Sequence, residues 1–239
     1  MGVVLPTISK RLLVVSILMC CVAHAQVQSR PVVVELFTSE GCSSCPPAEA
    51  YIGQLALHKD VLALAFHVDY WDDLGWKDRF SSKMSTDRQY AYSAIRGRSS
   101  VYTPQVVIDG KDEFVGTDRR HIDGALMMAR TGVPVGISLE RETLVVELRA
   151  SERAVPSEVL LVPYVRKVTS SIGRGENAGR TLDEFNIVRG IRDLGRWNGD
   201  PVSFRALLSS LPRDATDVAV LVQTTDQHQI IGAATRALR

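Results

Sequence analysis

The strongest constraint on the fold is one short stretch in which a strand, a cysteine pair and a helix follow each other without a gap. Val32 to Phe37 (Val-Val-Val-Glu-Leu-Phe) is β-branched and apolar, the pattern of a buried strand. Thr38-Ser39-Glu40-Gly41 makes a turn, and Cys42-Ser43-Ser44-Cys45-Pro46-Pro47 follows. From Pro46 onward, Ala48, Tyr51, Ile52 and Leu55 recur at spacings of three and four, which is helical. Ser43 and Ser44 are placed to cap that helix, and the two prolines suit a first turn whose N–H groups lack partners anyway. Val61 to Val68 is a second apolar run. Strand, helix and strand in this order predict two parallel strands joined by a crossover helix, in a sheet covered on both faces.

A C-x-x-C at the start of a helix has a chemical consequence. The helix N-terminus carries about half a positive charge and offers free N–H donors, and both favour a thiolate. Cys42 is expected at the exposed end as nucleophile, with Cys45 one turn further in as the resolving cysteine. Two other readings stand beside this one. A plain structural disulfide is possible, although so small a ring removes little chain entropy, roughly 2 kcal/mol. Half of a soft-metal site is the other, but one C-x-x-C alone does not complete a four-ligand zinc site.

The N-terminus bears on which reading applies. Lys10 and Arg11 precede an apolar run from Leu12 to Ala23, and Ala23-His24-Ala25 supplies small residues at a cleavage position. This is the order of a secretory signal peptide, expected over residues 1–25. The run is about 12 residues, short of the ~20 that span a bilayer. Cleavage removes Cys20 and Cys21 and leaves Cys42 and Cys45 as the cysteines of the mature chain, in an oxidising, periplasmic or secreted setting. No stable membrane anchor is then expected. Formal net charge is +1, from 28 basic and 27 acidic residues. Loss of Lys10 and Arg11 leaves 26 against 27, a balance of −1. Such a balance gives no electrostatic basis for nucleic-acid or membrane-surface binding.

With 239 residues the chain is long enough for one large or two small domains. Asp69 to Ser100 is polar and aromatic and reads as an inserted, mostly helical segment (about 70–100), with its best helix over Asp87 to Ile95. Gln105 to Asp109 reads as a strand, Asp109-Gly110 as a hairpin turn and Glu113 to Val115 as the return. Asp118 to Arg130 is helical, with Ile122, Ala125, Leu126 and Ala129 on one face. After residue 132 the pattern turns to strands: Val135 to Leu139, Thr143 to Arg149, Glu158 to Val168 and Asp217 to Thr224. Residues 133–239 are thus a β-rich region, either separate or packed onto the first sheet, with Ile172 to Gly199 as a Gly-, Arg- and Asn-rich stretch inside it.

The order strand, C-x-x-C, helix, strand, then Thr103-Pro104 before another strand resembles the thioredoxin superfamily. That resemblance implies a thioredoxin-like domain over 30–132, a cis Thr103–Pro104 bond facing the disulfide, and a neighbouring backbone that pairs with substrate. It also implies a buried proton-transferring carboxylate on the first strand. Glu35 is the candidate, although it stands one residue off the usual spacing, and an ion-paired Glu35 is the alternative. Glu35-Leu-Phe-Thr-Ser-Glu-Gly-Cys-Ser-Ser-Cys-Pro-Pro-Ala-Glu49, Val68-Asp-Tyr-Trp-Asp72, Tyr102-Thr-Pro-Gln-Val106, Gly173-Arg-Gly-Glu-Asn-Ala-Gly179 and Asn186-Ile-Val-Arg189 resemble the exported bacterial family DUF1223. Ser43-Ser44 inside the motif, Gly41 before it and the insertion before Pro104 all depart from ordinary thioredoxins.

The expectation is therefore an α/β chain of thioredoxin-like fold with a helical insertion and a β-rich C-terminal region. Its expected activity is thiol–disulfide exchange on an exported protein or small thiol, through Cys42, Cys45, Thr103, Pro104 and Glu35, without cofactor or resident metal. The alternatives are a soft-metal (copper) module using both cysteines and His67, or a non-catalytic interaction protein with a fixed disulfide. His67 reads first as a hydrogen-bonded core histidine. Asp69, Asp72 and Asp73 read as loop or cap residues before they read as metal ligands. Trp71, Trp76, Tyr90 and Tyr92 either pack the insertion onto the sheet or line a substrate groove. Gly173 to Gly179 lacks the lysine and hydroxyl of a phosphate loop and reads as a connection between strands. A lid made by Arg174, Glu176, Asn177 and Arg180 is a further reading that the sequence alone does not support.

Overall fold

The structure is a computed structural model that describes residues 1–2, 30–128, 130–151, 155–226 and 228–238. The basic and apolar parts of the expected signal peptide, its cleavage site, Cys20, Cys21 and Ala129 lie outside the described residues. In chain order the elements are β1 (Val32–Thr38), α1 (Pro46–Leu55), β2 (Val61–His67), α2 (Lys83–Ile95), β3 (Gln105–Ile108), β4 (Asp112–Val115) and α3 (Arg119–Leu126). Then come β5 (Val135–Glu140), β6 (Thr143–Leu148), β7 (Ser157–Ser171), β8 (Thr181–Val188), β9 (Arg192–Trp197), β10 (Val202–Leu207), a 3-10 turn (Leu208–Ser210), β11 (Asp217–Thr224) and β12 (Ile230–Ala237). Among the described residues no helix is long and apolar enough to cross a membrane.

One mixed sheet of nine strands dominates, in the order β12-β11-β7-β8-β2-β1-β3-β4, with β9 also paired to β7. The expected strand–helix–strand unit is there: β1 and β2 run parallel, Val34 opposite Ala63, with α1 between them in sequence. Every residue of β1 is buried, which accounts for its unbroken apolar run. The Asp109-Gly110 turn joins β3 to β4, with φ of 50° and 69° at its two residues, the geometry such a pair favours.

The strands of the β-rich region are not a separate body. β8 adds to β2, and β7, β11 and β12 continue the same sheet. The stretch after Ile172 forms strands β8 and β9 as well as a loop. The β2–β8 junction is short: Asn186 takes a left-handed conformation (φ 48°) and its side-chain amide donates to the Ala63 carbonyl at 2.8 Å. A side chain thereby supplies the bond that the ladder omits.

Strand alternation divides the core. On one face Val33, Phe37, Leu64, Phe66, Val162 and Leu221 pack with Tyr92 of α2. On the other, Val34 and Leu36 pack with α1 and α3. Further along that second face, Val159, Leu161, Val218 and Val220 pack against a three-stranded antiparallel sheet, β10-β6-β5. The carboxyl ends of β1 and β2 emerge at one edge of these layers, beside the start of α1.

Candidate functional site

The chain leaves β1 through two tight turns. The Ser39 carbonyl accepts from the Cys42 N–H at 3.1 Å, and the Cys42 carbonyl from the Cys45 N–H at 3.2 Å. This brings the two Cα atoms to 5.4 Å, and a disulfide joins Cys42 to Cys45. Cys45, not Ser43 or Ser44, occupies the N-cap of α1, and no side chain caps the helix. Both serines are exposed.

Two expectations about the sulfur are corrected. The free N–H donors invoked for the thiolate are absent from the first turn. Pro46 and Pro47 have none, and the Ala48 and Glu49 N–H groups both donate to the Cys45 carbonyl, at 2.9 and 3.1 Å. What remains near Cys42 Sγ is the helix dipole and the Ser44 hydroxyl at 3.4 Å. The second correction concerns access: Cys42 is 0% exposed and Cys45 1%, whereas the sequence placed Cys42 at an open end.

Chain from distant parts of the sequence packs around the cysteine loop. Trp71 lies against Gly41, where an added Cβ would meet Trp71 Cβ at 3.2 Å. The same indole donates from Nε1 to Thr103 Oγ1 at 2.9 Å. The Thr103–Pro104 peptide is cis. Pro104, Ala48 of α1 and Leu36 converge on Gly116, where an added Cβ would stand 2.8, 3.1 and 3.2 Å from them; glycine permits that approach. Thr103 and Pro104 thus lie beside the segment around Gly41 and the helix that follows it. From the far side the β7–β8 loop crosses the motif. The Asn177 amide donates to the Glu40 and Cys42 carbonyls at 2.9 and 3.0 Å, and a Glu176 carboxylate oxygen accepts from the Ser43 N–H at 3.2 Å.

Glu35 is not part of this site. Its side chain lies on the α2 face of the sheet, opposite α1, because strand parity sends residues 33, 35 and 37 that way. There Arg88 Nε donates to Glu35 Oε1 at 2.6 Å and Tyr92 donates to Oε2, while the Gln223 amide donates to the Tyr92 hydroxyl at 2.9 Å. The carboxylate is the buried counter-ion of Arg88.

The carboxylate that does lie beside the motif is Glu49, which sequence reasoning passed over. It sits four residues after Cys45, on the same helix face, and is buried. Neither of its oxygens has a hydrogen-bond partner of ordinary geometry among the described residues. Burial pushes its pKa up, against the pull of His67 and the Thr38 hydroxyl. Around it lie His67, Asp78 and Glu184. His67 Nδ1 is 2.6 Å from Asp78 Oδ2, and Nε2 is 3.8 Å from Glu49 and 3.9 Å from Glu184. Burial works against the charged imidazole, but Asp78, Glu49 and Glu184 outweigh it and hold His67 up at about 10. Burial raises Glu184 to about 8, against His67 and the Ser170 hydroxyl. Asp78 is pushed up by burial and pulled down further by His67, ending below its ordinary value. Glu40 completes the edge, accepting from Trp76 Nε1 at 2.6 Å. The spacing from Cys45 to Glu49 was the one signal the sequence offered.

His67 is the hydrogen-bonded core residue that its context suggested. Asp69 accepts from the Thr86 hydroxyl at 2.6 Å and Asp72 from the Ser81 hydroxyl at 2.7 Å, so both tie down the insertion. Among the described residues no group of three or more His, Cys, Asp or Glu stands at metal-binding spacing. Trp71, Trp76 and Tyr92 pack into the molecule, and Tyr90 faces solvent.

A crystal structure of a protein from Agrobacterium tumefaciens, solved as a structural-genomics target, is 30% identical, with a TM-score of 0.77, over 89% of this chain and 96% of that one. The structure of HBP35 of Porphyromonas gingivalis aligns with a TM-score of 0.61 at 16% identity, over 88% of this chain and 76% of that one, a likeness of fold alone. No curated protein matches the sequence. The family model for DUF1223, described as a protein of unknown function, matches residues 33–223, from β1 through most of β11 and across the 132/133 boundary. The chain is a member of the DUF1223 family.

Proposed function

We propose that this protein is an exported thiol–disulfide oxidoreductase of thioredoxin-like fold, with Cys42 as nucleophile and Cys45 as resolving cysteine. The observation that carries the reading is the joined Cys42–Cys45 pair at the start of α1, directly after a buried parallel strand, with Thr103 tied to the adjoining Gly41 segment through Trp71. The fold supports it in the order of β1, α1, β2 and β3, with β1 between β2 and β3.

From the oxidised state, a substrate thiolate attacks Cys42 Sγ. A mixed disulfide forms, the Cys42–Cys45 bond breaks, and Cys45 leaves as a thiolate. A second substrate thiolate then attacks its partner sulfur and releases Cys42. The substrate dithiol loses two electrons to the pair; the reverse sequence reduces a substrate disulfide. Cys45 leaves in a buried place, where a thiolate is poorly solvated. The carboxyl of Glu49, whose pKa burial raises, stands one helical turn away and supplies the proton. The Ser44 hydroxyl, 3.4 Å from Cys42 Sγ, donates to that sulfur when it is charged. The substrate is an exported protein or a small thiol.

The test is exchange by the mature protein with a reduced or disulfide-bonded polypeptide, such as insulin. Activity is expected to disappear in Cys42→Ser, and Cys45→Ser is expected to accumulate mixed disulfides. Equal insulin reduction by wild type and Cys42→Ser would overturn the reading.

A further inference from the structure

Cys42 is buried, and the loop that carries it is held by contacts made 135 residues later in the chain, which converge on one side chain. Asn177 is fully buried and aims its amide at the cysteine loop. Its Nδ2 donates to the carbonyls of Glu40 and Cys42, the residues either side of Gly41, at 2.9 and 3.0 Å. Its Oδ1 accepts from Arg180 at 2.8 Å, which fixes which way the amide points. Glu176 adds a contact to the Ser43 N–H at 3.2 Å. Behind them Gly175 takes φ 74° against Trp76, where a Cβ would stand 3.0 Å from Trp76 Cβ, and the Trp76 indole donates to Glu40 at 2.6 Å. Two side chains of the loop between β7 and β8 therefore pin residues 40–43.

We infer that this loop is a latch over the disulfide, with Asn177 as its positioning residue, and that exchange at Cys42 requires the latch to open. The inference rests on the proposed exchange reaction for its biological meaning. The burial of the disulfide does not depend on that reaction. An attacking thiolate approaches along the S–S axis and needs a free sulfur surface, which Cys42 and Cys45 lack in this state. The Asn177 bonds go to backbone carbonyls, so side-chain changes at 40–43 would leave them intact. A change at 177 removes both at once while touching neither cysteine.

Reduction by dithiothreitol tests this directly. One dithiothreitol thiolate opens the disulfide and its second thiol closes a ring, so the pair gains two electrons and dithiothreitol becomes the cyclic disulfide. Quenching with an alkylating agent and weighing the protein counts reduced molecules with time. Wild type is expected to reduce at a rate that levels off at high dithiothreitol, because opening then limits. Asn177→Ala is expected to raise that plateau about tenfold or more. Asn177→Asp keeps the shape and loses the donor, so it should act the same way should the alanine variant unfold. Glu176→Gln should raise it by a factor of two or three. Circular dichroism at the assay temperature checks that each variant is folded. A rate linear in dithiothreitol for wild type, or equal plateaus in wild type and both Asn177 variants, would overturn the latch. Failure of polypeptide exchange alongside a raised plateau would overturn the proposed function and leave the latch standing.

Discussion

His67 Nε2 stands 3.8 Å from the Glu49 carboxylate, one helical turn beyond Cys45, while its Nδ1 is held 2.6 Å from Asp78. The group titrates as a cluster, and the sign of its effect on stability is determined. His67 (about 10), Glu184 (about 8) and Glu49 all keep protons in the folded chain that the unfolded chain releases near 6.5 and 4.5. Each contributes stability that is complete below its unfolded pKa and is lost as pH rises through the folded one. Each retained proton steepens the loss by about 1.4 kcal/mol per pH unit. His228, whose pKa burial and Arg88 push down, works in the opposite direction and only below about 6.5. The melting temperature of the oxidised protein is therefore expected to fall between pH 6.5 and 10. Glu184→Gln should flatten the part of the slope below pH 8. A melting temperature constant or rising over that interval would contradict the arrangement.

Glu49→Gln separates the proton supply from the fold. The amide has the same shape and carries no proton to give. Disulfide exchange near pH 7 is expected to slow by about ten- to a hundredfold, with the loss reduced at lower pH, where solvent supplies the proton. Stopped-flow measurement of reduction of the pair across pH reads both. An unchanged rate would remove Glu49 from the reaction.

Glu35→Ala should destabilise without affecting the chemistry of folded molecules. It strands the Arg88 guanidinium inside the α2 face, and breaking such a buried pair costs about 3–5 kcal/mol. Denaturant unfolding should show that loss, and exchange per folded molecule should stay at the wild-type value. A specific activity reduced tenfold with stability intact would return Glu35 to the site.

Ser44→Ala tests what stabilises the Cys42 thiolate once the helix amides are occupied. Loss of the hydroxyl at 3.4 Å is expected to raise the Cys42 pKa in the reduced protein. The pH dependence of iodoacetamide labelling in the reduced protein measures it. No shift would mean that the helix dipole alone carries the effect.

Phe37 shows what the core contributes. Its ring packs 5.5 Å from Phe66 and 6.2 Å from Tyr92, between β1 and α2. Phe37→Ala should cost about 3–5 kcal/mol in thermal or denaturant unfolding. A cost under 1 kcal/mol would mean that this face is loosely packed.

The local part of this protein was legible from its residues. Apolar runs, β-branched in β1 and β3, marked the first three strands, the Pro46-Pro47 pair marked the start of α1, and Asp109-Gly110 marked a hairpin, because each depends on neighbours within a few positions. The cysteine pair was readable for the same reason; Glu49 was passed over, although its four-residue spacing from Cys45 is a local signal of the same kind. The facing of Glu35 turned on a parity of one residue along β1, which an unbroken apolar run does not reveal. The approach of Glu184 to His67 and the hold of Asn177 on residues 40–43 both came from long-range pairing. They exist because β8 docks beside β2, through a single register point and the left-handed Asn186. Periodicity along a chain carries no information about which distant strand will take that place. The sequence determined the presence of a thiol pair at a helix start; the tertiary structure decided what covers it.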